Sequence, residues 1–124
     1  MTLTENFTRQ EFDCKDGTPV PEMYMANLQC LAENLQILRD EIGEPVLITG
    51  SGYRTPSHNK KVGGASRSQH LTASGADINA KNHTPSELAE VIERLISEGK
   101  MQQGGLKAYK GFVHYDIRGT PARW

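Results

Sequence analysis

The chain has 124 residues, enough for one domain with a modest core. Hydrophobic residues make up 36% and charged residues 23%, which excludes a disordered chain. A net charge of −1 with no polybasic segment speaks against nucleic acid and anionic membrane surfaces as partners, and no apolar run is long enough to span a bilayer.

The opening residues "MTLTENFTRQEF" lack the basic and apolar regions of a signal peptide. Synthesis in the cytoplasm is therefore expected, with another exit route if the protein works outside the cell. In "NFTRQEFDCKDGTPVP", Phe7 and Phe12 are expected to pack as an arm over the core. Leu28, Leu31, Leu35, Leu38 and Ile42 recur at steps of three and four, which predicts a helix over about 22–42, opened by Pro21 and closed by Gly43. "PVLITG" predicts a short strand ending at Gly50. The long segment from Ser51 to Ser74, rich in Gly, Ser, Asn and Lys, reads as a functional loop. "GADIN" predicts a second strand. "HTPSELAEVIERLISEG" predicts a second helix, with Thr84 as N-cap, Pro85 at the first position, Glu87 three residues after the cap, and a stripe of Leu88, Ile92, Leu95 and Ile96. "GLKAY" and "FVHYDI" are the last two strands, before a polar tail ending in Trp124. This order predicts an α+β fold, with a small antiparallel sheet and two main helices in a single domain over residues 1–124.

Cys14 and Cys30 show no CxxC spacing, and neither has a histidine close by in sequence, which excludes zinc-finger and thioredoxin patterns. Two reduced thiols are expected; a disulfide between the N-terminal loop and the first helix is the alternative. Of the four histidines, His83 precedes a helix and is expected to face solvent. His58 lies near Arg54 on the long loop, where it either contacts substrate or bonds to backbone. His114 is on a strand whose one face carries Phe112, His114 and Asp116 and whose other carries Val113, Tyr115 and Ile117. With the second face in the core, His114 joins His70 and Asp77 as a possible zinc donor set with a fourth position open.

"SQHLTASGADI" resembles the S-x-H-x-x-G-x-A-x-D signature of zinc D-alanyl-D-alanine carboxypeptidases of the M15 peptidase family. That group is also similar to phage peptidoglycan endopeptidases and to the hedgehog signalling-domain fold. "ITGSGYRTPSHNKKVGG" resembles the upstream family segment, and "VHYD" the segment of the third ligand. The likeness runs from "FTRQEFDC" to the "DIRG" and "RW" end.

The resemblance implies a zinc cofactor held by His70, Asp77 and His114. Arg54 would grip a substrate carboxylate or carbonyl with its planar fork, and so be both catalytic and substrate-binding. Ser68 would contact substrate or stabilise a turn. Zinc would acidify water and polarise the scissile carbonyl in a peptide bond next to D-alanine, in the stem peptide of peptidoglycan. Phage-type release, with no membrane or nucleic-acid partner and a monomeric chain, is the implied context. A zinc-containing wall-binding or virion module without catalysis is the alternative. Two positions depart from the family pattern. Where the best-studied members carry an acidic general base, three residues before the third ligand, Gly111 stands here. The expected base then moves to Asp116, which could instead orient an imidazole. Tyr109 occupies a position where some relatives place an oxyanion-assisting histidine. The family glycine after His70 is Ala73, for which a shifted turn would compensate.

Overall fold

The computed structural model describes residues 1–124. The N-terminal arm is a hairpin of β1 (Thr2–Thr4) and β2 (Phe7–Thr8), followed by a 3-10 turn over Arg9–Phe12. Phe7 and Phe12 are fully buried, with ring centroids 6.1 Å apart, so the arm closes the core as expected. The hairpin itself carries no readable alternation, because its strands are three and two residues long.

A 3-10 turn at Glu22–Tyr24 leads into α1 (Met25–Ile42), on which Leu28, Leu31, Leu35 and Leu38 are completely buried. Gly43 ends it at φ 68°, a left-handed conformation that suits glycine, and donates its N–H to the Arg39 carbonyl. After β3 (Leu47–Ile48) comes the segment read as one long loop. It holds α2 (Pro56–Lys61), capped by Thr55, and a 3-10 turn over Gln69–Thr72. The Thr-Pro start signal of α2 was present in the sequence, but six residues are too few to show a helical period. Ala73 takes the left-handed conformation (φ 57°) at the end of that turn, just ahead of β4 (Gly75–Asn79).

In α3 (Pro85–Ser97) the expected capping box is complete: Thr84 Oγ1 accepts from Glu87 N–H and the Glu87 carboxylate accepts from Thr84 N–H. With β5 (Leu106–Ala108) and β6 (Val113–Asp116), the main sheet has the order β3-β4-β6-β5, antiparallel throughout. The fold is thus α+β, as the pattern predicted. Ala76 and Ile78 of β4 face the same side as Val113 and Tyr115 of β6. They join the helix leucines in one cluster of 24 buried residues. The opposite face of β4 and β6 carries Asp77, His114 and Asp116.

His83 does not simply face solvent. Its Nδ1 lies 2.7 Å from Glu44 Oε2, and the Glu44 carboxylate also accepts from Asn82 N–H at 2.9 Å. The Asn82 bond, with His83 behind it, holds the Glu44 carboxyl below its ordinary pKa against the opposing effect of burial. This pair ties the end of α1 to the start of α3. Its contribution is present above the unfolded pKa of about 4.3 and is lost as pH falls through the lowered folded value. Glu44→Gln is expected to lower Tm at neutral pH, with the gap from the parent closing in acid. Thermal melts across that range check this; a gap that stays constant into strong acid contradicts it.

Candidate metal centre

Asp77 and His114 are direct cross-strand partners in the β4–β6 register, so their side chains leave the same face side by side. His70 reaches them from the 3-10 turn that precedes β4, where Ser68 Oγ accepts from His70 N–H. All three side chains are buried. His70 Nε2 and His114 Nδ1 each lie 3.3 Å from Asp77 Oδ1, and the donor atoms of all three lie within 4.8 Å of one another.

The hydrogen bonds behind the histidines test whether a metal fits. His70 Nδ1 donates to the Gly52 carbonyl at 2.8 Å, which leaves Nε2 with its lone pair toward Asp77. His114 Nε2 bonds Asp116 Oδ2 at 2.7 Å, which leaves Nδ1 free. Two imidazole lone pairs and a carboxylate oxygen pointed at one another repel, and a divalent cation turns that repulsion into coordination. The donor set, two imidazoles and one carboxylate, suits zinc. Burial opposes charge on His114, but its bonds to Asp116 and Asp77 outweigh this and raise its pKa. Burial likewise pushes Asp77 up, while the His114 and His70 bonds override it and hold the carboxyl well below the usual carboxylate range.

Asp116 is completely buried behind His114. Its Oδ1 accepts from Gly105 N–H (2.8 Å) and Arg118 Nε (2.9 Å), and its Oδ2 from Arg118 Nη2 and His114 Nε2, both at 2.7 Å. Burial raises its pKa, but His114, Arg118 and the Gly105 amide outweigh that and keep it ionised. A Cβ at Gly104 or Gly105 would collide with Asp116, so the glycine pair is what lets this carboxylate pack here. The expectation of a general base at Asp116 does not fit this placement. Its oxygens are occupied, and it does not line the cavity in front of the histidines.

That cavity measures about 480 Å³. His70, Asp77 and His114 line it together with Arg54, Arg67 and Arg118, the hydroxyl residues Ser68 and Tyr109, and the aromatic rings of Phe112 and Trp124. Asp77 is the only carboxylate in the lining. His58 and Gly111 are not part of it. The Arg54 side chain is held by Ser51 Oγ at 2.9 Å and Asn59 Oδ1 at 3.1 Å, with Nη2 3.7 Å from Asp77 Oδ2. Trp124 gave no sequence signal beyond being the single tryptophan. It meets the His114 ring edge-on at 5.4 Å and donates its indole N–H to Tyr109 Oη at 2.9 Å.

A buried His-Asp-His trio with oriented imidazoles, at the wall of a cationic cavity, is the arrangement of a mononuclear metallohydrolase. The sequence model of the family Peptidase M15 matches residues 4–116, and the chain belongs to that family, whose members are metallopeptidases that typically use zinc. No curated protein matches the chain.

Proposed function

We propose that this M15 member is a zinc peptidase that hydrolyses a peptide bond next to D-alanine in peptidoglycan stem peptides, as a carboxypeptidase or a cross-link endopeptidase. The observation that carries the reading is the buried trio facing a cavity with three guanidinium groups and no free carboxylate. Such a pocket favours an anionic chain end. His70 Nε2, Asp77 and His114 Nδ1 would hold the ion. When bound, zinc supplies a Lewis acid that polarises a carbonyl and acidifies water.

The chain's own groups do the rest. Arg54 spends Nε and one Nη1 proton on Ser51 and Asn59, which leaves donors for a substrate carboxylate in a fixed fork. Tyr109 Oη accepts the Trp124 N–H, so its own proton is free to donate to a substrate carbonyl. Ser68 Oγ, which accepts from His70 N–H, keeps its proton for the same purpose. Asp116 acts through His114 as a positioning residue, by fixing the tautomer that presents Nδ1.

Arg54→Lys keeps the charge and loses the fork. Its KM for a peptide ending in a free carboxylate is expected to rise about tenfold or more, with little change for the amidated peptide. Steady-state kinetics on the two peptides check this, and equal loss on both assigns Arg54 to the fold instead.

One observation favours a second reading, a zinc-holding wall-binding or virion module without turnover: no carboxylate except Asp77 lines the cavity to take a proton. Incubation of the zinc-loaded protein with purified wall separates the two. Cleavage supports the peptidase, and retention on the wall with no new products supports the binding module.

A further inference from the structure

Outside this cavity, a second set of unlike donors converges. Cys14 Sγ, an Asp16 carboxylate oxygen and a His58 ring nitrogen lie within 4.8 Å of one another. They come from two separate parts of the chain. Residues 14–18 form a tight turn, with Cys14 N–H donating to Thr18 O and Gly17 N–H to Cys14 O, both at 2.9 Å; Gly17 supplies the positive φ of 96° it needs. His58 stands on α2, one turn after its cap.

Thr55 joins the two parts. Its hydroxyl donates to Asp16 Oδ2 at 2.8 Å and accepts from His58 N–H at 3.2 Å, while Asp16 Oδ1 accepts from Thr18 N–H at 2.9 Å. The Asp16 carboxylate is therefore fixed in place, and Cys14 beside it is buried at 3% exposure.

We infer that Cys14, Asp16 and His58 form a second zinc site, structural in role, that fastens the N-terminal turn to α2. Thiolate, imidazole and carboxylate are all zinc ligands, and the thiolate makes the set softer than the His-Asp-His trio. The charges also differ between the two sites: thiolate and carboxylate together would balance a divalent cation, whereas the trio supplies a single negative charge. Donor atoms around tetrahedral zinc stand about 3.5 Å apart, given bonds of about 2.0–2.3 Å, so rotamer adjustments of about 1 Å close the site. The consequence reaches the cavity through Asn59 on α2, which accepts from Arg54 Nη1 and donates to the Ala65 carbonyl at 2.9 Å. Pinning α2 holds the Arg54 fork.

Cobalt substitution tests this without any use of activity. The His-Asp-His trio contains no sulfur, so a near-ultraviolet sulfur-to-cobalt charge-transfer band reports the second site alone. The Co2+-loaded parent is expected to show that band, and the zinc-loaded parent about two equivalents of metal. Cys14→Ser is expected to lose the band and about one equivalent. The half-exposed His58→Ala, which spares the core, should weaken Co2+ binding at this site by about tenfold or more. Cys30→Ser and His114→Ala should both keep the band, which separates this site from the proposed catalytic one. A parent that shows no thiolate band under Co2+ saturation, or a band that survives Cys14→Ser, overturns the inference.

Discussion

His114→Ala is expected to lose one zinc equivalent relative to the parent and to reduce peptidase activity to background, while the protein still folds. The metal loss follows from geometry. His114 supplies one of only three protein donors, and its Nδ1 is held toward Asp77 from behind by Asp116. Folding survives because the two carboxylates it touches keep other partners. Asp116 retains Arg118 and the Gly105 amide, and Asp77 retains Ser51 N–H, His70 and Arg54. A cost of about 1–3 kcal/mol for the vacated space is expected, within what a folded domain tolerates. Metal content after dialysis, read beside a thermal melt, checks the prediction. A cooperatively folded variant that holds the parent's full zinc at the parent's affinity removes His114 from the site.

The second large effect concerns Asp116. Its carboxylate only accepts hydrogen bonds, so His114 must carry its proton on Nε2 and present a lone pair at Nδ1. An asparagine amide can turn its NH2 toward Nε2, which forces the proton onto Nδ1, the nitrogen that should face the metal. It also leaves the Arg118 guanidinium without the carboxylate that holds it at 2.7 and 2.9 Å. Asp116→Asn is therefore expected to weaken zinc binding about tenfold to a hundredfold, and excess zinc should restore much of the lost activity. A general base would behave differently: the variant would hold zinc as the parent does and remain inactive at any zinc concentration. Zinc titration with activity measured at each point distinguishes the two.

Much of this arrangement was legible along the chain because the signals were local. The leucine stripe of α1 and the Thr84–Glu87 box of α3 each act within a few residues, and both are in place. Alternation in "FVHYDI" correctly put Val113 and Tyr115 in the core and His114 on the opposite face. Spacing and family resemblance together pointed to His70, Asp77 and His114; the β4–β6 register brings the last two together, and the 3-10 turn before β4 adds His70.

The parts that were not legible depend on contacts distant in sequence. Alternation places Asp116 on the face of His114, but which side of the imidazole it takes is decided by Arg118 and by room at Gly104 and Gly105. Trp124 enters the cavity wall through Tyr109 and His114, which no periodicity encodes. Cys14 is remote from every histidine in sequence and comes near His58 only where α2 packs on the N-terminal turn.

Mass-spectrometric analysis of purified peptidoglycan, before and after incubation with the zinc-loaded protein, decides whether the chain cleaves next to D-alanine. The expected result is free D-alanine, or new amino termini at opened D-alanine cross-links, formed by the parent and not by His114→Ala. A parent that carries zinc at the trio and leaves every peptide bond of the wall intact contradicts it.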